Sequence, residues 1–199
     1  MRARNTNFFA LLLTIAVVSS ACAVAQAAPA EKPARAELAV DYTYLHSNAP
    51  PGGCGCFNMN GGSATFAWQF VPERFALVGD ITADYSGGTA ASGYALTLST
   101  YTAGARYLIP VGQSPLRPFG QVLVGVAHAS GSLVQGQTPA ASNASAAFAA
   151  NVGGGLDLGL SRHFAVRLID ASYLVTTFDN GVNDHQNNLR LSAGVVFRF

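Results

Sequence analysis

Two clusters in this sequence have the residue types and spacing for chemistry. His128 and Ser130 stand two apart, so an extended chain would present imidazole and hydroxyl on one side, the base and nucleophile of an acyl hydrolase. That chemistry also needs a carboxylate to orient the histidine. No Asp or Glu occurs between Asp84 and Asp157, so the third member would have to come from a distant strand. The simpler reading is a histidine at the end of a strand beside a loop serine. The second cluster is Cys54-Gly55-Cys56, with His46 upstream. Thiols so spaced could hold a metal with the histidine, close a strained disulfide, or pair with other chains. A metal would need more ligands than this stretch offers, so Cys54 and Cys56 are read as a disulfide candidate stapling a loop. Gly153-Gly154-Gly155 has the look of a phosphate cradle, but no helix follows, and glycines inside a strand point to close packing instead. No metal and no cofactor are expected.

The elements that would carry these residues are strands. From Asn188 to Phe199, Leu189, Leu191, Ala193, Val195, Phe197 and Phe199 alternate with Asn188, Arg190, Ser192, Gly194 and Arg198. A period of two fits only a strand. One of its faces suits hydrocarbon and the other suits water or a polar interior. A soluble sheet would bury the first against a second layer, whereas a transmembrane barrel turns it to lipid.

The N-terminus begins with Arg2 and Arg4, continues with an apolar run from Phe8 to Val18, and reaches small residues ending in Ala25-Gln26-Ala27. This is the pattern of a secretory signal peptide, 1–27, cleaved after Ala27. Cys22 lacks the large aliphatic residue that a lipid-attachment site would carry before it. Residues 28–35 read as a flexible, proline-bearing leader, and 36–199 as one domain. No later run approaches the roughly 20 apolar residues of a membrane helix. Charged residues make up 11% of the chain and the formal net charge is +1, which gives no electrostatic case for nucleic acid.

Eight strands follow in order, beginning near Glu37, Ser63, Phe75, Tyr94, Phe119, Ala146, Phe164 and Asn188. Their apolar faces gather aromatics at the ends, among them Tyr42, Phe66, Phe70, Phe75, Tyr101 and Tyr107, as interfacial girdles require. Their polar faces hold Asp80, Asp84, Arg106, Asp157, Arg190 and Arg198, a set able to fill a narrow interior with paired charges. In the seventh strand Arg167 falls on one parity and Asp170 and Ser172 on the other. That demands either a bulge or an arginine reaching for water from the interface. Long connections at His46 to Gly62, Ser86 to Gly93, Ser130 to Ser145 and Asp179 to Asn187 alternate with short ones. The expected fold is all-β, an eight-stranded antiparallel up-and-down transmembrane β-barrel with long loops outside and short turns toward the periplasm. A soluble ligand-carrying barrel would put the apolar faces inside. The single lysine, Lys32, lies in the leader, which is unlike the surface of a soluble protein.

The chain resembles the small eight-stranded outer-membrane barrels of the OmpA-like transmembrane and opacity-protein group. The residues that carry this are Gly104 to Tyr107 (GARY), Arg117 to Phe119 (RPF), Gly153 to Asp157 (GGGLD) and the alternating C-terminus ending at Phe199. The resemblance implies an integral outer-membrane protein with a structural or surface-interaction role, set in outer-membrane lipid and lipopolysaccharide. It also implies that Leu191, Val195, Phe197 and Phe199 are recognised by the barrel-assembly machinery. The peptidoglycan-binding domain of full-length OmpA has no counterpart here, so anchorage to the cell wall is not expected. The His128 and Ser130 pair, for its part, resembles that of outer-membrane lipid A deacylases.

Overall fold

The computed structural model describes residues 34–47, 56–89, 94–112, 114–131, 145–178 and 184–199. The expected signal peptide, most of the leader and Cys54 lie outside them. The strands are β1 (Ala36–Ser47), β2 (Phe57–Val71), β3 (Phe75–Thr89), β4 (Tyr94–Leu108), β5 (Leu116–Gly131), β6 (Ser145–Gly159), β7 (Phe164–Thr176) and β8 (Gln186–Arg198). Each pairs antiparallel with the next, and β8 pairs with β1 to close the barrel. Closure leaves no strand edge unpaired, the condition for a sheet to cross hydrocarbon.

Side-chain direction settles which face is in. Glu37, Asp41, Thr65, Asp80, Arg106, Asp157 and Arg190 are buried in the lumen, while Val40, Phe66, Trp68, Ile81, Val124 and Val152 stand about half exposed on the outer wall. This is the inversion expected of a membrane barrel and the reverse of a soluble carrier. At the ends of the short turns the outer wall carries a girdle. Phe70, Phe75 and Tyr107 pack in sequence at centroid distances of 6.1 and 5.1 Å, and Phe164 meets Phe197 at 5.7 Å. Phe199 closes the barrel seam, its N–H donating to the Ala36 carbonyl at 2.8 Å.

The parity conflict in β7 is resolved by a bulge. Asp157 opposes Arg167 and Gly155 opposes Asp170 on β6, while Gly194 and Ser192 oppose the same two residues on β8. Three residues of β7 therefore span two on both neighbours. Leu168 and Ile169 both face outward, and Arg167 and Asp170 both face in.

The strand limits need a correction. The stretch from His46 to Gly62 is not one long loop: β1 runs to Ser47 and β2 starts at Phe57, with Leu45 opposite Met59 and His46 opposite Asn58. Likewise β3 runs to Thr89, past Ser86. The strands hold 12 to 16 residues, whereas about 9–11 suffice to cross a bilayer at the usual tilt. The surplus projects beyond the membrane at the loop end. There the pattern reverses: His46, Asn58, Asn60 and Ser99 turn outward, and Leu45, Phe57, Met59, Leu96 and Leu98 turn inward. Where the surroundings change from lipid to water, the wall follows.

Candidate functional site

The lumen is built in layers. Nearest the short turns, Glu37 sits under Arg198 (Nε to Oε1 3.3 Å) and accepts a hydrogen bond from Gln69 (3.3 Å). Above it, the Arg167 guanidinium is held from two sides. Its Nε and Nη2 donate to the two oxygens of Asp157 at 2.9 and 3.3 Å, and its Nη1 donates to Asp41 at 2.9 Å. This bidentate geometry is the strong form of such a pair. Arg106 donates twice to the Gln121 carbonyl oxygen, at 3.0 and 2.8 Å, and Gln121 in turn donates to Asp170 at 3.0 Å.

Phe119 lies between the two cations, 4.2 Å from the Arg106 guanidinium and 5.0 Å from that of Arg167. Its negative ring face lowers the cost of holding like charges together. The ring has room because Gly155, its cross-strand partner, has no side chain: a Cβ there would come within 2.6 Å of the ring. The glycine run read as close packing rather than a phosphate cradle serves that packing at this residue.

The next layer joins opposite walls. Arg190 of β8 donates to Thr82 of β3 at 2.7 Å and lies 3.4 Å from Asp80. Asp80 also accepts from Thr65 at 2.8 Å and from Thr82 at 2.9 Å, and Thr43 donates to Asp84. Arg106 and Arg167 are each only 1% exposed, so desolvation is offset by partners or not at all. At the loop end the charges give way to an apolar layer of Leu45, Phe57, Met59, Leu96, Leu98, Leu174 and Phe178 with Ala127, Ala129 and Ala149. The charged residues on the polar faces do not point to this apolar layer at the loop end.

His128 and Ser130 do share a face, but that face is the outer wall. Both are exposed, opposite Ser99 and Thr97 of β4. Neither of those partners is a carboxylate. The pair belongs to the projecting collar, where the outward positions are polar. Cys56 is exposed just before β2. His46 bonds Asn58 across the hairpin at 2.7 Å. Among the described residues there is no grouping of His, Cys, Asp or Glu that could hold a metal. Leu191, Val195, Phe197 and Phe199 all lie on the outer wall around the closing seam. In the last loop, the hydrogen bond with the neighbouring His185 holds the Asp184 carboxyl below the ordinary carboxylate range.

An inverted, closed, eight-stranded wall around a charged lumen defines a transmembrane barrel. The chain belongs to the outer-membrane protein β-barrel domain family, which it matches over residues 13–199. It is therefore an integral protein of the outer membrane. No curated protein matches it in sequence. Among solved structures it is similar to Neisserial surface protein A (TM-score 0.60, 17% identity, 85% of this chain and 100% of that one). It is also similar to Ail, the attachment invasion locus protein of Yersinia pestis (TM-score 0.57, 17% identity, 84% and 100%). A second structure of Ail, in complex with the heparin analogue sucrose octasulfate, matches with TM-score 0.53 and 17% identity over 83% of this chain and 99% of that one. At these identities the likeness is one of fold.

Proposed function

We propose that the protein is a structural or surface-interaction barrel without enzymatic activity, whose lumen carries no steady current. The observation that carries this reading is the layered lumen. An ion entering from the loop end would first meet side chains such as Leu45, Met59, Leu98 and Leu174, each no more than 7% exposed. It would then have to displace a guanidinium from its carboxylates, and both steps are costly in a low dielectric. On this reading the short-turn end faces the periplasm. Residues 1–27 direct export and are removed. Phe199 and the outward residues Leu191, Val195 and Phe197 are the surface read by the barrel-assembly machinery.

The capture of a heparin analogue by Ail does not extend to this chain on charge. At the loop end, the strand ends and connections within 46–62, 86–95, 129–146 and 177–187 contain no Lys or Arg at all. A surface role here would use uncharged hydrogen-bonding groups such as those of Asn58, Asn60 and Ser99. Conductance across a planar bilayer tests the closed lumen. Reconstituted protein is expected to leave the membrane silent, and a stable current of porin size would overturn the proposal.

A further inference from the structure

Among the described residues, the arginines outside the lumen are confined to one end. Arg35 precedes β1, Arg74 closes the turn into β3, Arg117 opens β5 and Arg162 lies in the turn before β7. Arg35, Arg74 and Arg162 are exposed, and the Arg117 side chain is 41% exposed despite lying 3.9 Å from Glu37. Each therefore stands at a different corner of the short-turn rim. His163 adds a fifth exposed nitrogen base at the same level. Among the described side chains, an exposed acid on this rim is Glu73, which adopts a left-handed φ of 58° in the tight turn while its N–H bonds Gln69 at 2.8 Å; the Phe199 α-carboxylate lies on the same rim. The opposite end has no Lys or Arg, and its connections carry only Asp179 and Asp184.

The aromatic girdle sets the depth of these arginines. Arg74 directly precedes Phe75, which packs between Phe70 and Tyr107, and Arg162 and His163 directly precede Phe164, which packs on Phe197. Aromatic belts sit where acyl chains meet headgroups. A guanidinium one residue beyond that belt, on a long flexible stem, reaches the phosphates.

We propose that the short-turn rim formed by Arg35, Arg74, Arg117 and Arg162 is a docking surface for the phosphodiester headgroups of anionic phospholipid in the leaflet it faces. Electrostatic attachment is thereby confined to one side. The lipid's fixed negative charge meets a rim rich in arginine, and guanidinium matches phosphate geometry in a two-pronged contact. The loop end has no cation to offer a phosphate-rich surface. The proposal rests on the membrane barrel and its girdle, and stands whether or not the lumen conducts.

Native mass spectrometry of the folded full chain tests it, with phosphatidylglycerol and phosphatidylethanolamine of identical acyl chains supplied in equal amounts. The wild type is expected to retain phosphatidylglycerol in excess, by roughly fivefold for each engaged arginine. R74Q/R162Q should cut the preference by roughly twenty-five-fold while Arg35 and Arg117 keep the remainder, R74K/R162K should keep the preference, and D184N at the other end should leave it unchanged. Equal retention by the wild type, or a preference undiminished in R74Q/R162Q, would overturn the proposal. If R74Q/R162Q does not fold, the salt series on the wild type decides. The preference should fall as ammonium acetate is raised, and its persistence at high salt would refute the docking surface.

Discussion

At the scale of single residues, Arg167 joins three strands. It ties β7 to β6 through Asp157 and to β1 through Asp41, both at 2.9 Å. Arg167→Met fits the stem but leaves two buried carboxylates facing each other without a cation. The expected loss is about 3–5 kcal/mol, the cost of breaking rather than replacing a buried pair. It should appear as a lower urea midpoint for the barrel in vesicles, and an unchanged midpoint would show that the lumen is hydrated enough to screen the pair. Residue identity was legible at such positions. Asp80, Asp84, Arg106, Asp157, Arg190 and Arg198 all occupy the polar faces their parity indicated. What spacing cannot convey is partner choice. Arg167 and Asp41 are 126 positions apart, and only the closed barrel brings them together. His128 and Ser130 teach the complementary lesson, since equal parity placed them correctly on one face without saying that the face would be the outer wall of a collar.

At the scale of elements, β7 makes a sharp prediction. One extra residue separates Arg167 from Asp170, and the neighbouring strands on both sides advance by two over the same interval. Deleting Leu168 alone removes the bulge, keeps both charges inside and should give a folded, heat-modifiable band on detergent gels. Deleting Leu168 and Ile169 together makes Arg167 and Asp170 adjacent, so one of them must face lipid at a cost of up to about 2–4 kcal/mol for the arginine; that variant should not fold. If the double deletion folded and the single one did not, the bulge would not be what holds the parity. The conflict was visible in the sequence, but its cause was not, because a bulge and a snorkelling arginine leave the same trace. The ends of β1 and β2 were missed for a different reason. Strands are read from apolar residues on a constant face, and beyond the membrane Asn58 and Asn60 turn outward while Phe57 and Met59 turn inward. With the faces exchanged mid-strand and two glycines, Gly61 and Gly62, at the crossing, a continuous strand resembles a loop.

At the scale of the whole molecule, everything depends on a wall that changes character with its surroundings: apolar outside and charged within along the membrane, polar outside and apolar within above it. The strands follow from alternation, because a period of two is local; which face turns outward does not, and is read from the aromatics at the strand ends and the near absence of lysine. The layered lumen follows from neither, because it requires knowing which strand ends project beyond the bilayer. The chain contains one tryptophan, Trp68, which stands on the outer wall of β2, 46% exposed. Its fluorescence in the refolded protein tests the inverted wall most directly. In bilayers containing phospholipid brominated along the acyl chains, the emission should be blue-shifted and strongly quenched, while aqueous iodide should leave it nearly untouched. Efficient quenching by iodide, with no effect of the brominated chains, would mean that this face meets water and would contradict the account.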